Sequence, residues 1–97
     1  MKVHQNRPQL EVNEEFRRVC EAIRAEDKSA VEWDQCESDD WFQTDHFKGG
    51  YDATEQEFCF SYYDTTGKEW WFQFSYEDVS RILDGELRYL DLGEPFG

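Results

Sequence analysis

Residues 57–74 read EFCFSYYDTTGKEWWFQF. Two alternating runs flank a short turn. EFCFSYY (57–63) sets Phe58, Phe60 and Tyr62 against Cys59, Ser61 and Tyr63, and KEWWFQF (68–74) sets Trp70, Phe72 and Phe74 against Glu69, Trp71 and Gln73. A period of two puts each set on one face of a strand, so the stretch predicts a β-hairpin. DTTG (64–67) joins the runs, with Gly67 suited to positive φ in a short loop. One face of this hairpin holds six large aromatics and has to be covered. The other shows Tyr63 and Trp71 among polar neighbours, where partial exposure is expected.

Helices are the natural cover. Asn13 is placed to cap a helix over 14–25, with Glu14 and Glu15 in the first turn facing the positive end of the helix dipole. Phe16, Val19, Cys20 and Ile23 fall at i, i+3, i+4, i+7 and form one apolar stripe. Arg17 and Glu21 are an i, i+4 opposite-charge pair on the wet side. A second helix follows the hairpin. SYED (75–78) is a capping-box start with Asp78 in place of the usual Glu, Val79, Ile82 and Leu83 make the stripe, and Gly85 is a natural stop.

The remaining segments are read more coarsely. QLEV (9–12) is a short extended lead-in, and ELRYLDL (86–92) adds an edge strand. AVEW (30–33) reads as a strand, DDWFQTDHF (39–47) as strand or irregular chain, GGYD (49–52) as a turn or bulge, and ATEQEF (53–58) as strand. Together these predict an α+β fold in which an antiparallel sheet of three to four strands packs against two helices, as a single domain over 1–97.

Composition sets the frame for function. The 97 residues are only 38% hydrophobic but 18% aromatic, and aromatic side chains bury large areas each, so a core is expected despite the net charge of −13. No apolar run approaches a membrane span, and the N-terminus has no signal-peptide core. Three unpaired cysteines, Cys20, Cys36 and Cys59, fit a reducing cytoplasm. The charge is uneven. Residues 1–28 are neutral, residues 29–67 hold ten acids against one base, and residues 68–97 hold seven acids against three bases. Such a surface repels nucleic acid and anionic lipid and attracts basic surfaces.

Nothing in the spacing marks catalysis, so no enzyme is expected. His4 and His46 are the two histidines, and a Cys36–His46 pairing has no spacing in its favour. Carboxylate pairs are too numerous for any one to be informative. Cys36, Asp45 and His46 lack the close pairs of a zinc site, and DQCESDD (34–40) lacks the glycine and terminal Glu of a calcium loop. Gly49–Gly50 precedes Tyr and Asp rather than a phosphate-binding Lys. No metal and no cofactor are expected.

The stretch EWDQCESDDWFQTDHFKGGYD (32–52) mixes carboxylates with large aromatics. Its plainest reading is a solvated surface that keeps the chain soluble. A docking surface explains more, because aromatics are enriched at interface hot spots and arginine stacks on them. On that reading Glu32, Asp34, Glu37, Asp39, Asp40, Asp45 and Asp52 engage the lysines and arginines of a nucleic-acid-binding protein. Trp33, Trp41, Phe42 and Tyr51 act as anchors, and Glu55 and Glu57 extend the acidic patch. The partner is then a basic nucleic-acid-binding protein or ribonucleoprotein complex, with no direct nucleic acid and no membrane, and the chain is a monomer or weak dimer.

In size, in its acidic block from Ser29 to Gly67 and in the segment EWDQCESDDWF, the chain resembles small acidic phage-encoded inhibitors of the anti-CRISPR and anti-restriction DNA-mimic type. The resemblance implies a stoichiometric inhibitor in the cytoplasm of a bacterial host cell, occupying the DNA-binding face of a defence complex. These inhibitors share no motif, so the resemblance assigns no residue a role. The chain departs from the most extreme mimics in its N-terminal third, where Arg7, Arg17, Arg18 and Arg24 balance the acids. The alternatives are an immunity protein or antitoxin capping a basic nuclease toxin, and an acidic solvated regulatory domain.

Overall fold

The structure is a computed structural model that describes residues 8–36 and 41–93. Strand β1 (Gln9–Glu11) leads into helix α1 (Glu14–Ala25) and a short helix α2 (Ala30–Asp34). Strands β2 (Trp41–Gln43), β3 (Phe47–Asp52), β4 (Glu57–Tyr63) and β5 (Glu69–Phe74) follow, then helix α3 (Tyr76–Leu83) and strand β6 (Tyr89–Asp91). The expected α+β architecture holds: β2-β3-β4-β5 form one antiparallel sheet in sequence order, and β1 pairs with β6 in a second, two-stranded one.

The predicted hairpin is the centre of the fold. Phe58 faces Phe74, Phe60 faces Phe72 and Tyr62 faces Trp70 across β4 and β5. Phe58, Phe60, Phe72 and Phe74 are buried, and Tyr62 and Trp70 pack at the margin of the core. Asp64 organises the loop, accepting hydrogen bonds from the backbone N–H of Thr66 (2.9 Å) and Lys68 (3.0 Å) and from the Trp70 indole (3.1 Å). Gly67 takes the expected positive φ of 86°.

Helix α1 covers one end of this aromatic face. Phe16 packs on its rings, with centroids 5.2 Å from Phe47, 5.5 Å from Phe72 and 5.3 Å from Phe74. Helix α3 starts at the predicted box, where Ser75 and Asp78 cap each other's backbone N–H groups. It packs on α1, which contributes a cap of its own: the Arg17 guanidinium donates to the carbonyls of Ile82 (3.1 Å) and Leu83 (3.4 Å). The last carbonyls of a helix have no intrahelical donor. Arg17 therefore serves α3 rather than Glu21, the partner that helical spacing suggests.

Three sequence expectations are corrected. AVEW is the helix α2, because Ser29 and Glu32 form a full capping box in front of Trp33. GGYD is not a turn but lies inside β3, paired to β2 and β4. ATEQ (53–56) is the loop between β3 and β4, nucleated when the Asp52 carboxylate accepts from the N–H groups of Thr54 (2.9 Å) and Glu55 (3.3 Å). The C-terminal strand does form, but beside β1 rather than on the main sheet, which it touches through the bridge between Gly93 and Trp71.

Candidate functional site

Strand alternation gives the main sheet two unlike faces. The inner face carries Phe47, Tyr51, Phe58, Phe60, Phe72 and Phe74 into the core with the helices. The outer face carries Trp41 and Gln43 from β2, Lys48, Gly50 and Asp52 from β3, Glu57, Cys59, Ser61 and Tyr63 from β4, and Glu69, Trp71 and Gln73 from β5. None of these outer side chains joins the buried core.

Two tryptophans rise from this face. Trp41, on one edge strand, is 60% exposed, and Trp71, on the other, is 39% exposed. Between them the strands present Gly50, paired with both Trp41 and Cys59, and Ser61, paired with Trp71 on one side and Lys48 on the other. The result is a hollow of about 410 Å³, lined by both tryptophans, Lys48, Asp52, Cys59, Ser61, Tyr63 and Glu69. The Ser61 hydroxyl donates to the Glu69 carboxylate at 2.6 Å.

The acidic–aromatic segment divides differently from the sequence expectation. Trp33 is fully buried and Tyr51 is 3% exposed, so neither is on offer to a partner. Their rings plug the far end of the aromatic core, with Trp33 4.9 Å from Phe58 and 5.6 Å from Tyr51. Phe42 packs at the core margin, and Trp41 alone of the four proposed anchors stands out from the surface. Glu37, Asp39 and Asp40 lie outside the described residues.

The carboxylates divide too. Glu32 caps α2, Asp34 accepts a short hydrogen bond from the Tyr51 hydroxyl, and Asp52 shapes the β3–β4 loop. Burial pushes the Tyr51 phenol well above its usual range, and the Asp34 carboxylate adds to that. Asp45 and Glu55 are exposed and hold no such local bond. The donors here are backbone N–H and hydroxyl groups, which organise a carboxylate without cancelling its charge.

His46 does not meet Cys36. Its ring Nδ1 lies 2.8 Å from Glu15 Oε1, while Glu15 Oε2 accepts from the Thr44 hydroxyl (2.5 Å) and the His46 backbone N–H (2.8 Å). This clamp ties the β2–β3 turn to α1. Burial pushes the Glu15 carboxyl up, but the bonds from Thr44 and His46 outweigh it and hold the group below its usual value. Cys36 is instead approached by the Lys28 ammonium at 3.3 Å. Cys20 is buried in α1, and that burial pushes its thiol up to about 12. Among the described residues no three His, Cys, Asp or Glu side chains gather as a metal site. Among them, too, no helix is long and apolar enough to cross a membrane.

Asp64 yields a pH prediction. Hydrogen bonds from Thr66 and then Trp70 hold its carboxyl far below the ordinary 3.8. A depressed folded-state value means a contribution fully present well above pH 3.8 and lost as pH falls through the folded value. Asp64→Asn is therefore expected to be less stable than the parent at neutral pH. The gap in urea midpoint should narrow as pH falls below 3.8 and go on narrowing towards the folded value. A gap unchanged between pH 7 and pH 2.5 would show that the charge of Asp64 is not what organises the loop.

No family model matches this chain, and no curated protein and no solved structure matches it either.

Proposed function

We propose that this protein is a stoichiometric inhibitor of the anti-CRISPR or DNA-mimic kind, which binds the basic nucleic-acid-binding surface of a defence complex. The observation that carries the reading is the uncompensated charge of residues 29–67, ten acids against the single base Lys48. The described carboxylates that do bond locally take N–H and O–H donors, so the block keeps its field. B-DNA presents about one charge per 1.7 Å of axis, and its binders answer with arrays of lysine and arginine. A compact acidic domain competes for those arrays, associates fast by electrostatic steering, and loses affinity as salt screens the field.

The test is retention of a partner from host lysate on the tagged chain, washed first at low and then at high salt. One basic nucleic-acid-binding protein or complex is expected, released by salt and by competing DNA. The triple reversal of Glu37, Asp39 and Asp40 to lysine should weaken that retention by tenfold or more without shifting the thermal midpoint. Full retention by the triple variant would remove this segment from the interface. Absence of any basic partner even at low salt would return the acidic block to a solvated surface.

A further inference from the structure

We propose that the partner docks on the free edge of strand β2, Trp41–Gln43, by laying an extended basic segment antiparallel to it as a further strand of the main sheet. The inference rests on the reading above that the partner is basic, and adds how it is held and at which residues.

The backbone is the first argument. Antiparallel pairs alternate between residues that exchange hydrogen bonds and residues that do not. The Thr44 N–H donates to the Phe47 carbonyl at 2.8 Å. In the same register Phe42 bonds to Gly49, while the N–H and C=O groups of Trp41 and Gln43 point away from β3. Among the described residues no hydrogen bond meets those outward groups. An unpaired strand edge is a template for another chain, and sheets guard it with lysine, proline or a bulge. Strand β2 reads Trp-Phe-Gln in unbroken register and carries none of these. The opposite edge of the sheet is already engaged, because the Gly93 N–H donates to the Trp71 carbonyl at 2.6 Å.

The side chains say which segment fits. A strand beside β2 places one residue about 5 Å from Trp41 on the outer face, and the next beside Phe42 at the margin of the core. Trp41 is 60% exposed, and an indole accepts both the stem and the charge of a long basic side chain. Asp52 shares that face, two residues along β3 from the Gly50 that pairs with Trp41, and Asp45 is exposed in the β2–β3 turn. The fitting segment therefore alternates basic and apolar residues. Lys48, opposite Gln43, stands one strand further in, roughly 10 Å from the added chain. A second copy could offer its own β2 here, but it brings another −13 with it.

The experiment titrates the full chain at low salt with an octapeptide of alternating lysine and valine with uncharged ends. Two N-methylated isomers accompany it, one methylated at every lysine nitrogen of the backbone and one at every valine nitrogen. All three carry the same charge. In the antiparallel register the lysine N–H groups face Trp41 and Gln43, and the valine N–H groups face solvent. Methylation at lysine is expected to weaken binding about tenfold or more, and methylation at valine to leave it nearly unchanged. The Trp41 and Gln43 amides, free to exchange in the chain alone, should slow by about tenfold or more on binding the parent peptide. Gln43→Pro, which removes only an outward N–H at an edge position, should keep the thermal midpoint near that of the parent and weaken the peptide about tenfold.

Equal binding of the three peptides, with both amides still exchanging freely, would overturn strand addition while leaving the electrostatic reading of function standing. Failure of all three to bind at low salt would overturn both. The reverse ranking of the two isomers would overturn the placement of lysine over Trp41. Protection of both amides in the peptide-free chain, deepening with protein concentration, would reassign the edge to a second copy.

Discussion

Trp33→Ala should unfold this protein readily, lowering its stability by about 3–5 kcal/mol as read from urea midpoints. The indole is wholly buried, and its ring lies within 6.4 Å of the centroids of Phe42, Tyr51, Phe58 and Tyr76. Helix α2 is only five residues long and has Trp33 as its one buried side chain. Without that side chain α2 keeps the Asp34–Tyr51 hydrogen bond to the sheet but loses its buried anchor, and a cavity opens at the end of the core. Domains of this size have about 5–15 kcal/mol in total, so the loss removes a large fraction of it. Trp33→Phe should cost less than half as much. It keeps most of the ring, and it removes an indole N–H that is buried with no hydrogen-bond partner among the described residues. The pair of variants also separates packing from recognition. A residue that anchored a partner would change binding and leave the urea midpoint alone.

Residue Trp33 also shows where sequence reading succeeds and where it runs out. The hairpin, α1 and α3 were legible because their signals are local: period two around DTTG, a stripe behind Asn13, and a box at Ser75. Helix α2 carried the same kind of signal. Ser29 and Glu32 stand in the same relation as Ser75 and Asp78, and both pairs close reciprocal caps. The short span and the Val31–Trp33 pattern favour a strand by propensity, and the cap overrides them. The pairing of β1 with β6 joins Gln9 to Asp91, a separation no local pattern encodes. The site was half legible. Mixed aromatic and acidic character marked the right stretch, but hydrophobicity alone does not say which tryptophan points in. That follows from register: Trp41 shares a face with Lys48 and Ser61, whereas Tyr51 shares one with Phe58. Trp71 was expected at the surface from its own alternation, and it becomes the second wall of the hollow only because β2 and β5 are the two edges of the same sheet.

Gly49→Ala should be nearly as damaging as a large core deletion, at or above the upper end of the ~1–3 kcal/mol that overpacking costs. Gly49 lies on the inner face of β3, opposite Phe60. A β-carbon there would sit 2.6 Å from Phe60 Cγ and 2.7 Å from Phe60 Cα, and closer still to the Cys59 carbonyl oxygen. Two of these three obstacles are backbone atoms, so a rotamer change in Phe60 does not relieve the clash. The strands β3 and β4 have to part, and the Phe60 ring, 5.3 Å from Phe74 and 6.1 Å from Phe72, has to leave its place in the aromatic core. Valine at 49 should prevent folding outright. Lys48→Ala is the control, one residue away on the exposed outer face, where substitution is expected to stay within about 0.5 kcal/mol. Comparable urea midpoints for Gly49→Ala and Lys48→Ala would mean that β3 and β4 are not in this register. The division of the sheet into a packed aromatic face and an open tryptophan face would then fail, because both faces are set by the same alternation.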